Sequence, residues 1–411
     1  MRIPLFRMER TQCLYENQVE FNLSESGVLP LKVEELLGGS EDSAWLHSLS
    51  LKYPESNGSD LLRERIGRFY GTGRDNVLVS NGTSEANYVA FWALLDKGDR
   101  AAVMIPNYLQ TWGVGRIFGS QSDAYRLIES RDGGRPRWAL DLDSLERAVT
   151  RKTRLILVTN PNNPTGGVLS EEEMDAIVRA ARRANAWIVS DEVYRGAELS
   201  GPITPTFWGR YDKLLITSGL SKAFGLPGLR IGWVVGPPKM VEKLWSYQDY
   251  LTLTPGLLSD RLGRIVMEPA RLEKVLARTR TILCRNLPRL EKWIHSHDDI
   301  FTYIPPLAGA ITLVRYNLPI ASEALFNKLR VERSVLITPG AHFGIGKYIR
   351  IGYGYDMDYT LKGLERVDLT LRELQEKRAL PVSTRRPAQR AVVRSLSTRR
   401  PTQRATSRSA R

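Results

Sequence analysis

The chain has 411 residues and a formal charge of +14, which is too long for one small core, so two lobes or one large α/β domain with an appendage are expected. The charge alone would suggest a nucleic-acid or membrane partner. Residues 377–411, however, hold eleven Lys and Arg and no acidic residue, so the rest carries only +3 and reads as an ordinary soluble domain with a basic tail.

Residues 1–17 alternate charged and apolar side chains without the long apolar run of a signal peptide or membrane helix. Cys13 and Cys284 lie far apart in sequence, and His295 and His297 are not at ligand spacing. A cytoplasmic protein is therefore expected, with buried or idle thiols, no disulfide, no metal site and no membrane partner. From about residue 60 to 235, short apolar runs alternate with amphipathic stretches, as a mainly parallel sheet with crossover helices requires. A strand is predicted at 77–80 and a helix at 84–95, with further strands at 100–105, 154–159, 186–190 and 213–217. A helix at 170–185 would be capped by Ser170, with Glu173 completing a capping box. The strands ending near Thr159, Ser190 and Thr217 are about 30 residues apart, the length of a βα repeat. Ligands of open α/β sheets collect at the carboxyl ends of the strands, and Asn163, Asp191, Tyr194 and Lys222 each follow such an end. They can converge on one cleft.

Helical stretches at 238–249 and 257–296 lead to strand-like runs at 310–315 and 348–352, a smaller C-terminal lobe. The expected division is an N-terminal segment, 1–45, packing with the small domain; a large domain, 46–250; a small domain, 251–376; and a tail, 377–411. In that tail the stretch 383–391 recurs at 397–405, with Thr402 in place of Ala388. Such a composition cannot bury enough apolar surface to offset its ordering entropy, so disorder is expected. Its basic residues could attract nucleic acid through phosphate neutralisation, but no aromatic residue is there to stack on bases.

Lys222 stands among small residues in the run from Ser218 to Trp233, with Arg230 eight positions later. A lysine at the end of an apolar strand, flanked by glycines, leaves a path to its amine and can form a Schiff base with an aldehyde cofactor. Three more motifs share the chain: Asn160 to Gly166 with its two Asn-Pro pairs, Ser190-Asp191-Glu192-Val193-Tyr194, and Tyr348-Ile349-Arg350-Ile351-Gly352. In order and spacing the four resemble the class I/II aminotransferases of fold type I, which carry pyridoxal 5'-phosphate. The resemblance covers roughly residues 15 to 375. It implies an α/β fold: a large domain whose mainly parallel, seven-stranded type of sheet lies between helices, and a smaller α+β C-terminal domain. It also implies a homodimer with shared active sites.

What the resemblance implies residue by residue is as follows. Lys222 would hold the cofactor aldehyde and act as the base at the substrate α-carbon. Asp191 would pair with the ring nitrogen. Tyr194 and Asn163 would donate to the phenolic oxygen, although Asn-Pro repeats also build turns unaided. Gly82, Thr83 and Ser84, at a strand-to-helix turn, would cup the phosphate with Arg230. Tyr108 would cover one ring face, or be a core aromatic after a strand. Tyr53 would reach the phosphate across the dimer interface. Arg350, with Asn163 beside it, would bind the substrate α-carboxylate. Glu192 would point away from the site. The family pattern has Ser or Thr three residues before the lysine. Here Gly219 stands there, so Ser218 or Ser221 would supply the hydroxyl.

The activity implied is transfer of an amino group between an amino acid and a 2-oxo acid. A lyase, cyclase or amino-acid oxidase on the same fold is the alternative. A ligand-sensing regulator with a nucleic-acid-binding tail is a third reading, but no helix-turn-helix pattern precedes the body. The amino-acid substrate is not assigned by sequence.

Overall fold

A computed structural model describes residues 4–37 and 40–379. Its centre is an eight-stranded sheet. In chain order the strands are β1 (Val77–Ser80), β2 (Arg100–Ile105), β3 (Gln121–Asp132), β4 (Arg135–Leu140), β5 (Thr153–Thr159), β6 (Trp187–Asp191), β7 (Leu214–Gly219) and β8 (Gly232–Val235). Their spatial order is β1-β8-β7-β6-β5-β2-β3-β4. The five strands from β7 to β3 run parallel, while β8 is antiparallel to both its neighbours and β4 returns antiparallel along β3. The sheet thus has one strand more than expected.

Side chains alternate between two apolar layers, because successive Cβ atoms of a strand point to opposite faces. Val79, Met104, Ile156, Ile188 and Ile216 face one core, and Leu78, Val103, Leu157, Val189 and Leu215 the other. Both faces are covered, which explains why β6 and β7 read as unbroken apolar runs rather than as alternation.

An N-terminal helix, α1 (Arg7–Tyr15), precedes the sheet, and α2 (Thr83–Leu94) follows β1. The helix expected at 170–185 is α3 (Glu171–Ala184). Ser170 Oγ accepts from the Glu173 amide while the Glu173 side chain accepts from the Ser170 amide, the anticipated capping box. The stretch expected at 257–296 is two helices, Leu257–Val266 and Pro269–His295.

A four-stranded antiparallel sheet at Phe301–Tyr303, Ile311–Tyr316, Thr338–Pro339 and Tyr348–Gly352 makes up the C-terminal part. Phe21–Asn22 pairs in parallel with Val335–Leu336, so the N-terminal segment is hydrogen-bonded to that part. The last helix, Met357–Ala379, carries regular structure through residues 377–379, where the basic tail was expected to begin. The rest of the tail, including its repeat, lies outside the described residues. Among the described residues no helix is long and apolar enough to cross a membrane.

Candidate active site

The carboxyl ends of β5, β6 and β7 open onto a cavity of about 460 Å³. Asn163, Asp191, Tyr194, Ser221, Lys222 and Arg230 all line it, joined by Thr83 and Ser84 from the start of α2 and by Tyr108 from beyond β2.

Lys222 is half-buried and its Nζ donates to Ser26 Oγ at 2.9 Å. Burial pulls its pKa down, although Glu25 pushes the other way. Asp191, at the end of β6, accepts from Asn87 Nδ2 at 3.1 Å and from the Val193 amide at 3.1 Å. Burial outweighs both bonds and pushes its pKa up to about 6. The neighbouring Glu192 turns away, as expected: Oε1 accepts from the Phe207 amide at 2.9 Å and Thr206 Oγ1 at 2.9 Å. Tyr194 is buried, its hydroxyl makes no hydrogen bond of ordinary geometry, and burial pushes its pKa up to about 12.

A tight cup forms where the turn after β1 meets β7 and β8. Gly82 has φ +89, and a Cβ there would stand 2.2 Å from Arg230 Nη2. Only glycine lets the guanidinium lie against this backbone. Arg230, itself in the left-handed region, donates through Nη1 to Ser221 Oγ at 3.4 Å. Gly219 is equally constrained: a Cβ would lie 2.7 Å from both Thr83 Oγ1 and the Ile231 carbonyl. The space of the missing 219 side chain is therefore taken by the Thr83 hydroxyl, which is buried without a hydrogen-bond partner.

Ser218 does not join the cup. Its hydroxyl donates to the Glu192 carbonyl at 3.2 Å, because residues alternate along β7 and its side chain leaves on the other face from the cavity. Arg350 is also off the cavity wall: it is fully buried one layer behind, donating through Nη1 to Asn163 Oδ1 at 3.1 Å and through Nη2 to Thr338 Oγ1 at 3.2 Å and the Ser24 carbonyl. Its Nε has no partner. Asn163 touches both the cavity and Arg350. Tyr53 is 82% exposed and is not part of its own chain's cavity. Tyr108 forms a wall, its hydroxyl donating to Glu9 Oε1 at 2.7 Å, with Phe6 set edge-on at a centroid distance of 4.9 Å.

Further residues complete the lining. Asn87, one turn into α2, carries no motif of its own. Ser26 lies in the loop after Phe21–Asn22. Met8, Glu9, Gln12, Cys13 and Glu16 all line the cavity from α1 and its end, on one face of the helix. Neither thiol is buried, and Cys13 belongs to this wall.

The donor set fits pyridoxal phosphate. An aldehyde needs the lysine, a phosphate needs the glycine turn, the Arg230 fork and the unsatisfied Thr83 hydroxyl, a ring nitrogen needs a sheltered carboxylate, and a phenolic oxygen needs the unpartnered Tyr194 hydroxyl. Residues 36–367 match the family described as aminotransferase class I and II. The chain belongs to that family. It is a pyridoxal-phosphate-dependent aminotransferase of fold type I, with amino acids and 2-oxo acids as substrates.

Among its relatives, capreomycidine synthase from Streptomyces vinaceus is 28% identical over 84% of this chain and 88% of its own length. An aspartate aminotransferase from Streptomyces avermitilis is 26% identical over 75% and 77%. Among solved structures, a PLP-dependent aminotransferase from Streptococcus suis 89-1591 superposes with a TM-score of 0.83 at 29% identity, covering 91% of this chain and 99% of that one.

Proposed function

We propose that Lys222 is the covalent attachment point of the cofactor and the base that accepts the proton from the substrate α-carbon. The observation that carries this reading is the meeting, in one cavity, of a half-buried lysine, a buried carboxylate and an arginine-and-glycine cup. When bound, the cofactor supplies an electron sink for the charge left at the α-carbon. The chain's own residues do the rest.

Burial favours the neutral form of the Lys222 amine, which is the nucleophilic and basic form. The Ser26 hydroxyl orients that amine. Asp191 offers a sheltered negative charge to a protonated ring nitrogen, and such a cation would draw the raised carboxyl pKa back down. Thr83, Ser84, Ser221 and Arg230 hold phosphate, the guanidinium matching two oxygens at once. Tyr194 and the Asn163 amide would donate to the phenolic oxygen, and Tyr108 would pack beside the ring. Arg350 receives the α-carboxylate once it exchanges its present bonds to Ser24 and Thr338 for the two substrate oxygens, steered by Asn163.

The protein works as a cytoplasmic homodimer in this reading, with Tyr53 donating to the phosphate in the second copy's site. Support comes from the exposure of Leu51 (79%), Tyr53 (82%) and Tyr250 (82%), apolar surface that a second copy would cover.

The test is the visible absorbance of the cofactor-loaded protein. One amino acid should bleach the band and a 2-oxo acid should restore it, with Lys222→Ala showing neither. A second reading, cyclisation or elimination on the same scaffold, is favoured by the 28% identity to capreomycidine synthase across most of both chains. Under it, the amino acid would be consumed with no 2-oxo acid required to restore the band.

A further inference from the structure

The wall supplied by α1 carries negative charge, and the cations it acts on are Lys222 and Arg350, both of which feel Glu25 and Glu9. Glu9 and Glu16 line the cavity, and Glu25 stands behind them, accepting from Gln12 Nε2 at 3.3 Å. None of the three forms an ion pair among the described residues. The Tyr108 hydroxyl fixes the Glu9 carboxylate at the wall. Burial, then the like charges of Glu25 and Glu9, push the Glu16 carboxyl up.

The cations within reach already have work. Among the described residues, Lys222 and Arg230 are the only basic side chains on the cavity wall, and the reading above commits them to the aldehyde and the phosphate. Arg350 lies behind Asn163 and is committed to the α-carboxylate. Among the described residues of this chain, no further guanidinium or ammonium lines the cavity for a second substrate carboxylate, whereas Glu9 and Glu16 line it without an ion pair. A dicarboxylic substrate would meet like charge here, which costs affinity and argues against sharing the substrate of the aspartate aminotransferase relative.

We infer that the substrate is an amino acid with a cationic side chain, an ammonium or a guanidinium, received by Glu9 and Glu16 with Glu25 reinforcing them. The inference rests on the reading of this cavity as the cofactor and substrate site.

The test uses cofactor-loaded enzyme titrated with L-lysine, L-ornithine, L-arginine, L-norleucine and L-aspartate. Binding is followed through the cofactor absorbance and by calorimetry. At least one cationic amino acid should bind roughly tenfold or more tightly than norleucine, which matches lysine in length but lacks its charge, and aspartate should bind more weakly than norleucine. Whichever of lysine, ornithine and arginine binds best names the head group. Added salt should erode the preference. Glu9→Gln and Glu16→Gln should each lower the cationic-to-norleucine ratio roughly three- to tenfold, and the double variant should abolish the preference. Thermal unfolding of each variant and its absorbance band report whether it has folded and loaded; if one variant fails to fold, the wild-type ratio and the other variant still decide. Equal or tighter binding of norleucine or aspartate to the wild type, or an unchanged ratio in the variants, overturns the inference. Absence of any cofactor band overturns the underlying reading and this inference with it.

Discussion

Asn87 holds Asp191 in place: its Nδ2 donates to Asp191 Oδ2 at 3.1 Å, and its Oδ1 accepts from Thr217 Oγ1 at 2.7 Å, which fixes the amide. Thr217 is on β7, Asp191 ends β6, and Asn87 comes from α2. One side chain thus ties together three elements around the carboxylate proposed to pair with the ring nitrogen.

Replacing Asn87 with Leu removes a donor from a buried carboxylate, at a cost of about 1–3 kcal/mol. Cofactor affinity should fall roughly ten- to a hundredfold. Titrating pyridoxal phosphate into cofactor-free protein and following absorbance checks this.

Asp191 has a folded pKa of about 6 against 3.8 for the free side chain. Between those values the folded state keeps the proton that the unfolded state has released. Stability of the cofactor-free protein therefore falls as pH rises from about 4 to about 6, and above that the full penalty, on the order of 3 kcal/mol, stands. Asp191→Asn lacks the titration. Its thermal midpoint relative to wild type should climb across that window and then level off, measured by calorimetry on both cofactor-free proteins.

Gly219→Ser restores the hydroxyl that the family pattern carries, yet should harm this protein. Its Cβ would meet Thr83 Oγ1 and the Ile231 carbonyl at 2.7 Å each, and overpacking of this kind costs about 1–3 kcal/mol. Denaturant unfolding should register the loss, and a titration should show weaker cofactor binding. The complementary variant, Thr83→Ala, should fold normally and lose cofactor affinity.

Tyr53 is far too exposed to contribute to its own chain's fold. Tyr53→Phe should leave the thermal midpoint of the cofactor-free protein unchanged and weaken cofactor binding by about 1–3 kcal/mol, the worth of a hydrogen bond to a charged group. Ultracentrifugation of the wild type checks the two-chain assembly on which that effect depends.

The parts of the fold that were legible are those where local pattern and tertiary role agree. Apolar runs ending at Thr159, Ser190 and Thr217 announced buried parallel strands, and Ser170 with Glu173 announced a helix start. The hairpin of β3 and β4 was not anticipated, because it is an edge with Asp, Glu and Arg along β3 and Arg135 and Arg137 on β4. Its signal was in the turn instead: Gly133 and Gly134 both have positive φ, as a two-residue hairpin loop demands. The meeting of Lys222, Asp191 and Arg230 at one cavity was legible, because each stands in a motif whose residue types chemistry restricts. Ser218 was misplaced because adjacency in sequence says nothing about which face of β7 a side chain leaves. Asn87 and the face of α1 were invisible because their roles depend on elements distant in sequence coming together, which no local spacing records.

The most direct test of the central claim is to load the protein with pyridoxal phosphate, reduce it with borohydride and map the modified peptide by mass spectrometry. Attachment at Lys222, and nowhere else, is the predicted result. Label on another lysine, or a loaded protein that retains no label after reduction, would contradict the assignment of this cavity as the site of catalysis.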